Sequence, residues 1–270
     1  MSITVNDLSF NFGQNRVLKE ISFTARGGEL LSVLGPNGVG KTTLFRCILG
    51  LLRGYRGQIL LGGTDIKGLG AAEMARLIAY VPQFHYPSFN YSVFDMVLMG
   101  TSVHVSAFSR PGREQAKLVD AALERLGIAQ LKERGFTRIS SGEQQLVLLA
   151  RALVQESPIL VMDEPTSNLD YGNQVRVLTE VKSLVSEGYT IIQSTHSPDL
   201  AFMFSDRVLA LKDGAVLGCG PPEEVFSEEL IYALYGMRVK MESLYYDRVR
   251  VCIPKHIADK AAAASLVSNL

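Results

Sequence analysis

The stretch Gly35-Pro36-Asn37-Gly38-Val39-Gly40-Lys41-Thr42-Thr43 has the spacing G-x-x-x-x-G-K-[ST], which suits it to hold the phosphates of a nucleoside triphosphate. Glycines allow the backbone to turn successive N–H groups inward with no Cβ in the way. A helix starting at Lys41 adds the positive end of its dipole. In such a loop Lys41 reaches the β- and γ-phosphates and the Thr42 hydroxyl ligates Mg²⁺. The flanks agree: Leu30–Leu34 reads as a buried strand, and Leu44, Cys47, Ile48 and Leu51 recur at helical spacing.

A second chemical feature is the apolar run Ile159-Leu160-Val161-Met162 ending in Asp163-Glu164. A strand there delivers both carboxylates to the carboxyl edge of a sheet, where ligands gather in open α/β folds. Asp163 suits Mg²⁺, directly or through water, and Glu164 suits polarising an attacking water. The bland alternative is a solvated acidic pair opening the loop Pro165-Thr166-Ser167. Upstream, Ser140 and Glu143 in Ile139-Ser140-Ser141-Gly142-Glu143-Gln144-Gln145 have capping-box spacing ahead of the apolar run Leu146–Leu153. A helix beginning there presents free N–H groups to an anion, or is simply an ordinary capped helix.

The positioning elements follow from pattern. Ile3-Thr4-Val5 and Ile21–Thr24 are strand-like, broken at Asn11-Phe12-Gly13 and Gly27-Gly28, which predicts an antiparallel layer ahead of the loop. Gln58–Leu61 and Ile78–Val81 predict further strands. From Ser92 to Gln155 the period is helical, with Val93, Met96, Val97, Val119, Ala122, Leu123 and Leu126 facing inward. Strands return at Ile159–Met162, Tyr189–Gln193 and Arg207–Leu211, with a helix over 172–186 between the first two. This alternation predicts a mainly parallel sheet covered on both sides. The C-terminal part shows a helix near Pro222–Leu234, a strand at Val249–Pro254 and an Ala-rich tail.

Composition narrows the function classes. The chain has 270 residues, 47% of them hydrophobic, enough for one large or two small cores. Lysine plus arginine and aspartate plus glutamate each total 27, so bulk charge gives no support to a nucleic-acid partner. The three cysteines are far apart, which fits a reducing compartment better than a disulfide framework. No signal-peptide layout opens the sequence, and no apolar run approaches the roughly 18 residues of a membrane span. Work at a membrane would need a partner to supply the spanning helices.

Taken in order, these motifs resemble the ATP-binding subunits of ABC transporters over roughly residues 1–240. The resemblance implies an α/β fold: a P-loop NTPase core, mainly parallel with an added antiparallel β layer, plus an inserted α-helical subdomain. It places the core at about 1–84 and 157–236, the helical subdomain at about 85–156, and a C-terminal extension at 237–254 before the tail at 255–270. ATP and Mg²⁺ are the implied cofactors. Phe12 is the aromatic that would stack on adenine, unless it is a core aromatic under the antiparallel layer. Gln83, after Val81-Pro82, would bridge Mg²⁺ and water, unless it is merely a solvated loop residue. His196, in Ser194-Thr195-His196-Ser197, would donate to the γ-phosphate while bonding back to Glu164. His85, His104 and His256 have no such setting. Ser140, Ser141, Gly142 and Glu143 match the family signature Leu-Ser-Gly-Gly-Gln or -Glu with Ile139 for Leu and Ser141 for Gly. Asp170 closes the following Ser167–Asp170 loop. In the family the signature of one subunit closes on the ATP held by the other, which implies a homodimer.

The segment Phe84–Gly100 is dense in aromatics, which suits docking of another protein or burial within the helices. Tyr91-Ser92-Val93 leading to Val97–Gly100, and Pro222–Gly236, look like the importers of iron-siderophore, haem, cobalamin and molybdate or tungstate complexes. The implied partners are a membrane permease and, indirectly, a substrate-binding protein, with this subunit on the cytoplasmic face of the membrane. An exporter ATPase is the nearest competitor. A GTPase would carry Asn-Lys-x-Asp, and a DNA-repair ATPase a long coiled coil or zinc motif; neither is present.

Overall fold

The first 61 residues build a curved antiparallel layer and the central strand of a second sheet. β1 (Ile3–Phe12) and β2 (Asn15–Ala25) pair antiparallel, burying Ile3, Val5, Leu8 and Phe10 against Leu18, Ile21, Phe23 and Ala25. The turn between them falls at Gly13-Gln14, so Phe12 ends a strand instead of lying in the break. β3 (Leu30–Leu34) is buried at every position, as its unbroken apolar run requires of a strand covered on both faces. α1 (Lys41–Ile48) follows the phosphate-type loop, and β4 (Arg56–Leu61) returns to pair antiparallel with β1. This computed structural model describes residues 1–83, 89–105, 110–247 and 249–259.

β5 (Thr64–Asp65) closes the hairpin at Gly62-Gly63, and α2 (Ala71–Leu77), which pattern reading overlooked, leads into β6 (Ile78–Val81). The helical part comprises α3 (Val93–Leu98), α4 (Arg113–Arg125) and α5 (Ser141–Leu153). The chain re-enters the sheet at β7 (Ile159–Met162) and crosses by α6 (Tyr171–Ser186) to β8 (Thr190–Thr195). Next come α7 (Pro198–Phe204), β9 (Arg207–Lys212) and β10 (Ala215–Gly220). The expected helix over 222–234 is two, α8 (Pro222–Val225) and α9 (Glu228–Tyr235), separated at Phe226-Ser227. The chain then forms a hairpin of β11 (Val239–Leu244) and β12 (Val249–Pro254).

The large sheet runs β10-β9-β3-β8-β7-β6, parallel except for the β10–β9 pair, and the antiparallel layer runs β2-β1-β4-β5. Because β3 lies between β9 and β8, with β7 next, the ends of β3, β7 and β8 emerge at one edge. One buried cluster joins the sheet to α1 and the antiparallel layer, through residues such as Leu31, Phe45 and Ile59. Another joins the opposite sheet face to the helices, running from Leu30, Leu160 and Ile191 through Leu146 and Leu149 to Met96 and Leu123. Each such leucine contributes about 1.5–3 kcal/mol by leaving water. A third cluster, with Leu34, Phe202, Ile231 and Val239, lies under the C-terminal segment.

Candidate functional site

Close packing and strain make the loop after β3. Gly40 sits at φ 110°, a conformation open to glycine but not to residues with a Cβ. A Cβ on Gly35 would collide with the Leu211 carbonyl of β9. α1 starts with no side-chain cap, so its first N–H groups stay free to face an anion. Lys41 is 5% exposed, and its ammonium donates to the carbonyls of Gly35 at 2.8 Å and Pro36 at 3.2 Å. It also pairs with Glu164 Oε1 at 3.3 Å.

The strand ends supply the rest. The Thr42 hydroxyl donates to Asp163 Oδ2 at 2.8 Å, while Asp163 Oδ1 accepts from the Ser194 hydroxyl at 2.6 Å. Ser194 Oγ in turn accepts the Glu164 N–H at 2.8 Å. Ser194 is therefore a clamp that holds the Asp163 carboxylate and the Glu164 backbone. Sequence reading quoted it only as a neighbour of His196; its signal was a buried hydroxyl near the end of an apolar strand. Glu164 is 8% exposed and holds φ at 45°, in the left-handed region. Its Oε2 accepts from Gln83 Nε2 at 3.1 Å and lies 3.2 Å from His196 Nδ1. A carboxylate only accepts, so the His196 nitrogen facing it carries the proton. The solvated-pair reading of Asp163-Glu164 and the free-loop reading of Gln83 both fall to this network.

Two adjoining cavities of about 400 and 550 Å³ share Asn37, Gln83 and Glu164 in their walls. The first is floored by Gly38, Gly40, Lys41, Thr42 and Thr43, and the second by Thr166, Ser167, Asn168, His196 and Ser197. Val17 from β2 also lines the loop cavity, a contribution that sequence reading missed. Phe12 is 50% exposed and stands edge-on to Phe10, with centroids 4.9 Å apart, so it is not a core aromatic. The oxygens of Thr42, Asp163 and Gln83 are the hard donors Mg²⁺ takes. Among the described residues no group of three His, Cys, Asp or Glu side chains forms a closed metal cage. Such a set fits an ion that shares its shell with phosphate oxygens and water.

Ser140, Ser141, Gly142 and Glu143 line neither cavity. Ser140 caps α5: its N–H and hydroxyl reach Glu143 Oε2 at 2.8 and 2.9 Å, and its Oγ accepts from the Glu143 N–H at 3.3 Å. The Ser140 N–H, then its hydroxyl, hold the Glu143 carboxyl below its usual range. Ser141 is exposed, whereas Gly142 is buried where a Cβ would meet the Asn173 side chain. Asn173 is held by Asp170, which caps α6 and accepts from the Asn173 N–H at 2.9 Å and from its amide at 2.8 Å. Those two bonds lower the Asp170 pKa. His104 lies 3.3 Å from Glu156 and His256 is exposed. Residues 84–88, and with them His85 and the first part of the aromatic segment, lie outside the described residues.

The whole arrangement has relatives. The ABC transporter family model matches residues 18–167, more than half of the chain. An iron chelatin transport ATP-binding protein of Helicobacter pylori is 38% identical over 250 residues, spanning 92% of this chain and 97% of that protein. A hemin import ATP-binding protein of Pseudoalteromonas translucida is 32% identical over 249 residues, 89% of this chain and 95% of its own. A solved inward-facing metal-chelate type ABC transporter superposes with a TM-score of 0.83 at 31% identity, covering 95% of this chain and 98% of that one. A phosphate-type loop, carboxylates at the end of β7 and a histidine past β8, on a fold shared along nearly its full length, make this chain a member of the ABC transporter ATP-binding family.

Proposed function

We propose that this chain hydrolyses ATP to power import of a metal chelate, most of all an iron complex, through a partner membrane permease. One observation carries the hydrolytic half: the buried Glu164 carboxylate lies within 3.3 Å of Lys41, Gln83 and His196 at once. In this reading Glu164 is the general base for water, Gln83 positions that water, and His196 hydrogen-bonds the γ-phosphate. Lys41, Thr43 and the loop amides from Gly35 to Gly40 hold the phosphates, and Phe12 offers its exposed ring to adenine. With Nδ1–H given to Glu164, a neutral His196 presents only a lone pair at Nε2. Donation to phosphate therefore needs the imidazolium, or a ring that has turned from Glu164. Bound Mg²⁺ would add Lewis-acid charge at the phosphates, held by Thr42, Gln83 and Asp163.

The outward-facing cap residues Ser140 and Ser141, with Gly142, Glu143 and Asp170, are assigned to the ATP of a second copy in a homodimer. Their absence from the walls of their own chain's cavities supports that assignment. A groove of about 480 Å³ between Leu49–Arg53 of the core and Met99, Gly100 and Arg151 of the helical part suits the permease. Leu51 is 66% and Met99 42% exposed there. No helix among the described residues is long and apolar enough to cross a membrane, so the reading sets this subunit against the cytoplasmic face of a permease, with a substrate-binding protein beyond. The division proposed is core 1–84 and 157–236, helical subdomain 85–156 and extension 237–254. The relatives named for iron chelatin and hemin support the cargo class.

Uptake of a panel of labelled metal complexes, in cells lacking the gene, tests this. An iron or haem complex should enter only when the wild-type gene, and not its Glu164→Gln variant, is restored. Unchanged uptake of every complex would end the importer reading.

A further inference from the structure

His196 sits on a two-residue link, His196-Ser197, between β8 and α7. Its ring is half-exposed, so packing alone does not fix where the imidazole points. What is fixed is the peptide unit that follows it. The Ser197 N–H donates to Thr195 Oγ1 at 3.1 Å, and the His196 carbonyl accepts from the Tyr235 hydroxyl at 3.1 Å. A peptide held at both its donor and its acceptor cannot rotate, so ψ of His196 and φ of Ser197 are locked.

The outer half of that lock comes from far along the chain. Tyr235 is the last residue of α9, which ends at Gly236 with φ 70°. α9 is itself tied down: Leu234 and Ile231 are buried with Leu34 of β3 and Phe202 of α7, and Lys212 of β9 donates to the Ala233 carbonyl. The hairpin behind it holds the helix that follows the link, since the Cys252 N–H in β12 donates to Asp199 Oδ1 in the first turn of α7 at 3.2 Å. Burial, aided by Cys252 and Glu164, raises the Tyr235 pKa, so the phenol keeps the proton that it donates.

We propose that Tyr235 is a positioning residue for His196: its hydroxyl, carried by α9 and the C-terminal hairpin, locks the 196–197 peptide and so sets the imidazole against Glu164. This deepens the proposed function and rests on its assignment of His196 to hydrolysis. The last helix of the core and the hairpin behind it thereby act, through His196, on the reaction centre.

Steady-state ATP hydrolysis by the full chain and three variants, Tyr235→Phe, His196→Ala and the double variant, tests the proposal. Tyr235→Phe keeps the ring and its packing and removes only the donor. It should lower kcat roughly fivefold, the scale of one hydrogen bond, with KM for ATP unchanged within about twofold. In the His196→Ala background the same substitution should add nothing. The ¹⁵N resonances of the His196 ring should also move in Tyr235→Phe. A kcat within about twofold of wild type, or an equal loss with and without His196, overturns the proposal. The arms separate the two readings: an impaired His196→Ala with a silent Tyr235→Phe sinks the brace alone, whereas full activity in His196→Ala sinks the assignment of His196 and the brace with it.

Discussion

Glu164 combines a demanding backbone with a crowded side chain. At φ 45° a non-glycine residue carries strain of about 1 kcal/mol or more. The N–H bond to Ser194 Oγ and the carboxylate contacts hold it there. Two predictions separate backbone from side chain. Glu164→Gln keeps the shape but has one acceptor oxygen in place of two and cannot take a proton, so turnover should fall roughly 10²-fold or more while ATP binding persists. Steady-state hydrolysis beside nucleotide titration checks this. Glu164→Gly and Glu164→Ala both delete the carboxylate, yet only glycine relieves the strain. The glycine variant should melt about 2–4 °C above the alanine variant, as read by calorimetry. At this scale the motif residues were legible because each stands beside its own signal. Ser194 was not, because its role as clamp depends on two partners just past β7 that only the sheet brings near. Phe12 shows the reverse case: its type was legible, but its exposure depended on where the β1–β2 turn falls, one to two residues later than the pattern suggested.

Helix α5 illustrates how local chemistry builds an element. The capping box at Ser140 and Glu143 is a three-residue pattern, so it could be read from the sequence and is found as expected. Ser140→Ala should cost about 1 kcal/mol by losing the cap. It should also raise the midpoint of Glu143 only partway toward its ordinary value, because the backbone N–H at Ser140 is the larger cause of the depression. A side-chain carbon titration by NMR checks both direction and incompleteness. The sign for stability follows: a carboxyl lowered by folding stabilises above its unfolded range, and that contribution fades as pH drops through the folded value. Other elements escaped notice for physical reasons. β11 has the alternation Val239-Lys240-Met241-Glu242, but its partner β12 was needed to give it meaning. α2 and α7 span about two turns each, too short to show a period. Gly142 was legible only as a member of the signature; that its missing Cβ makes room for Asn173 of α6 shows only in the fold.

Over the whole molecule, one buried cluster runs from the sheet face at Leu30 and Ile191 through α5 and α6 to α3 and α4. The helices lack a core of their own and borrow one face of the sheet. That the middle of the chain is helical could be read from its period; that its apolar side closes on this sheet required the crossover from β6 to β7. For the proposed homodimer, hydrolysis should rise faster than linearly with protein concentration, since each catalytic centre is completed by a second copy. Specific activity measured down a dilution series checks this, and a constant value at every dilution would argue for self-sufficient monomers. The ends of α5 give this architecture a mechanical meaning. Its 13 residues make a rod of about 20 Å. The signature turn forms one tip, and Arg151 and Ala152, in the wall of the groove beside Gly100, lie near the other. Gly100 fits so closely on the Arg151 backbone that a methyl group there would not fit. A rigid strut cannot absorb a push by bending, so a shove on the groove must arrive at the far tip as displacement, and a pull on the tip must be felt in the groove.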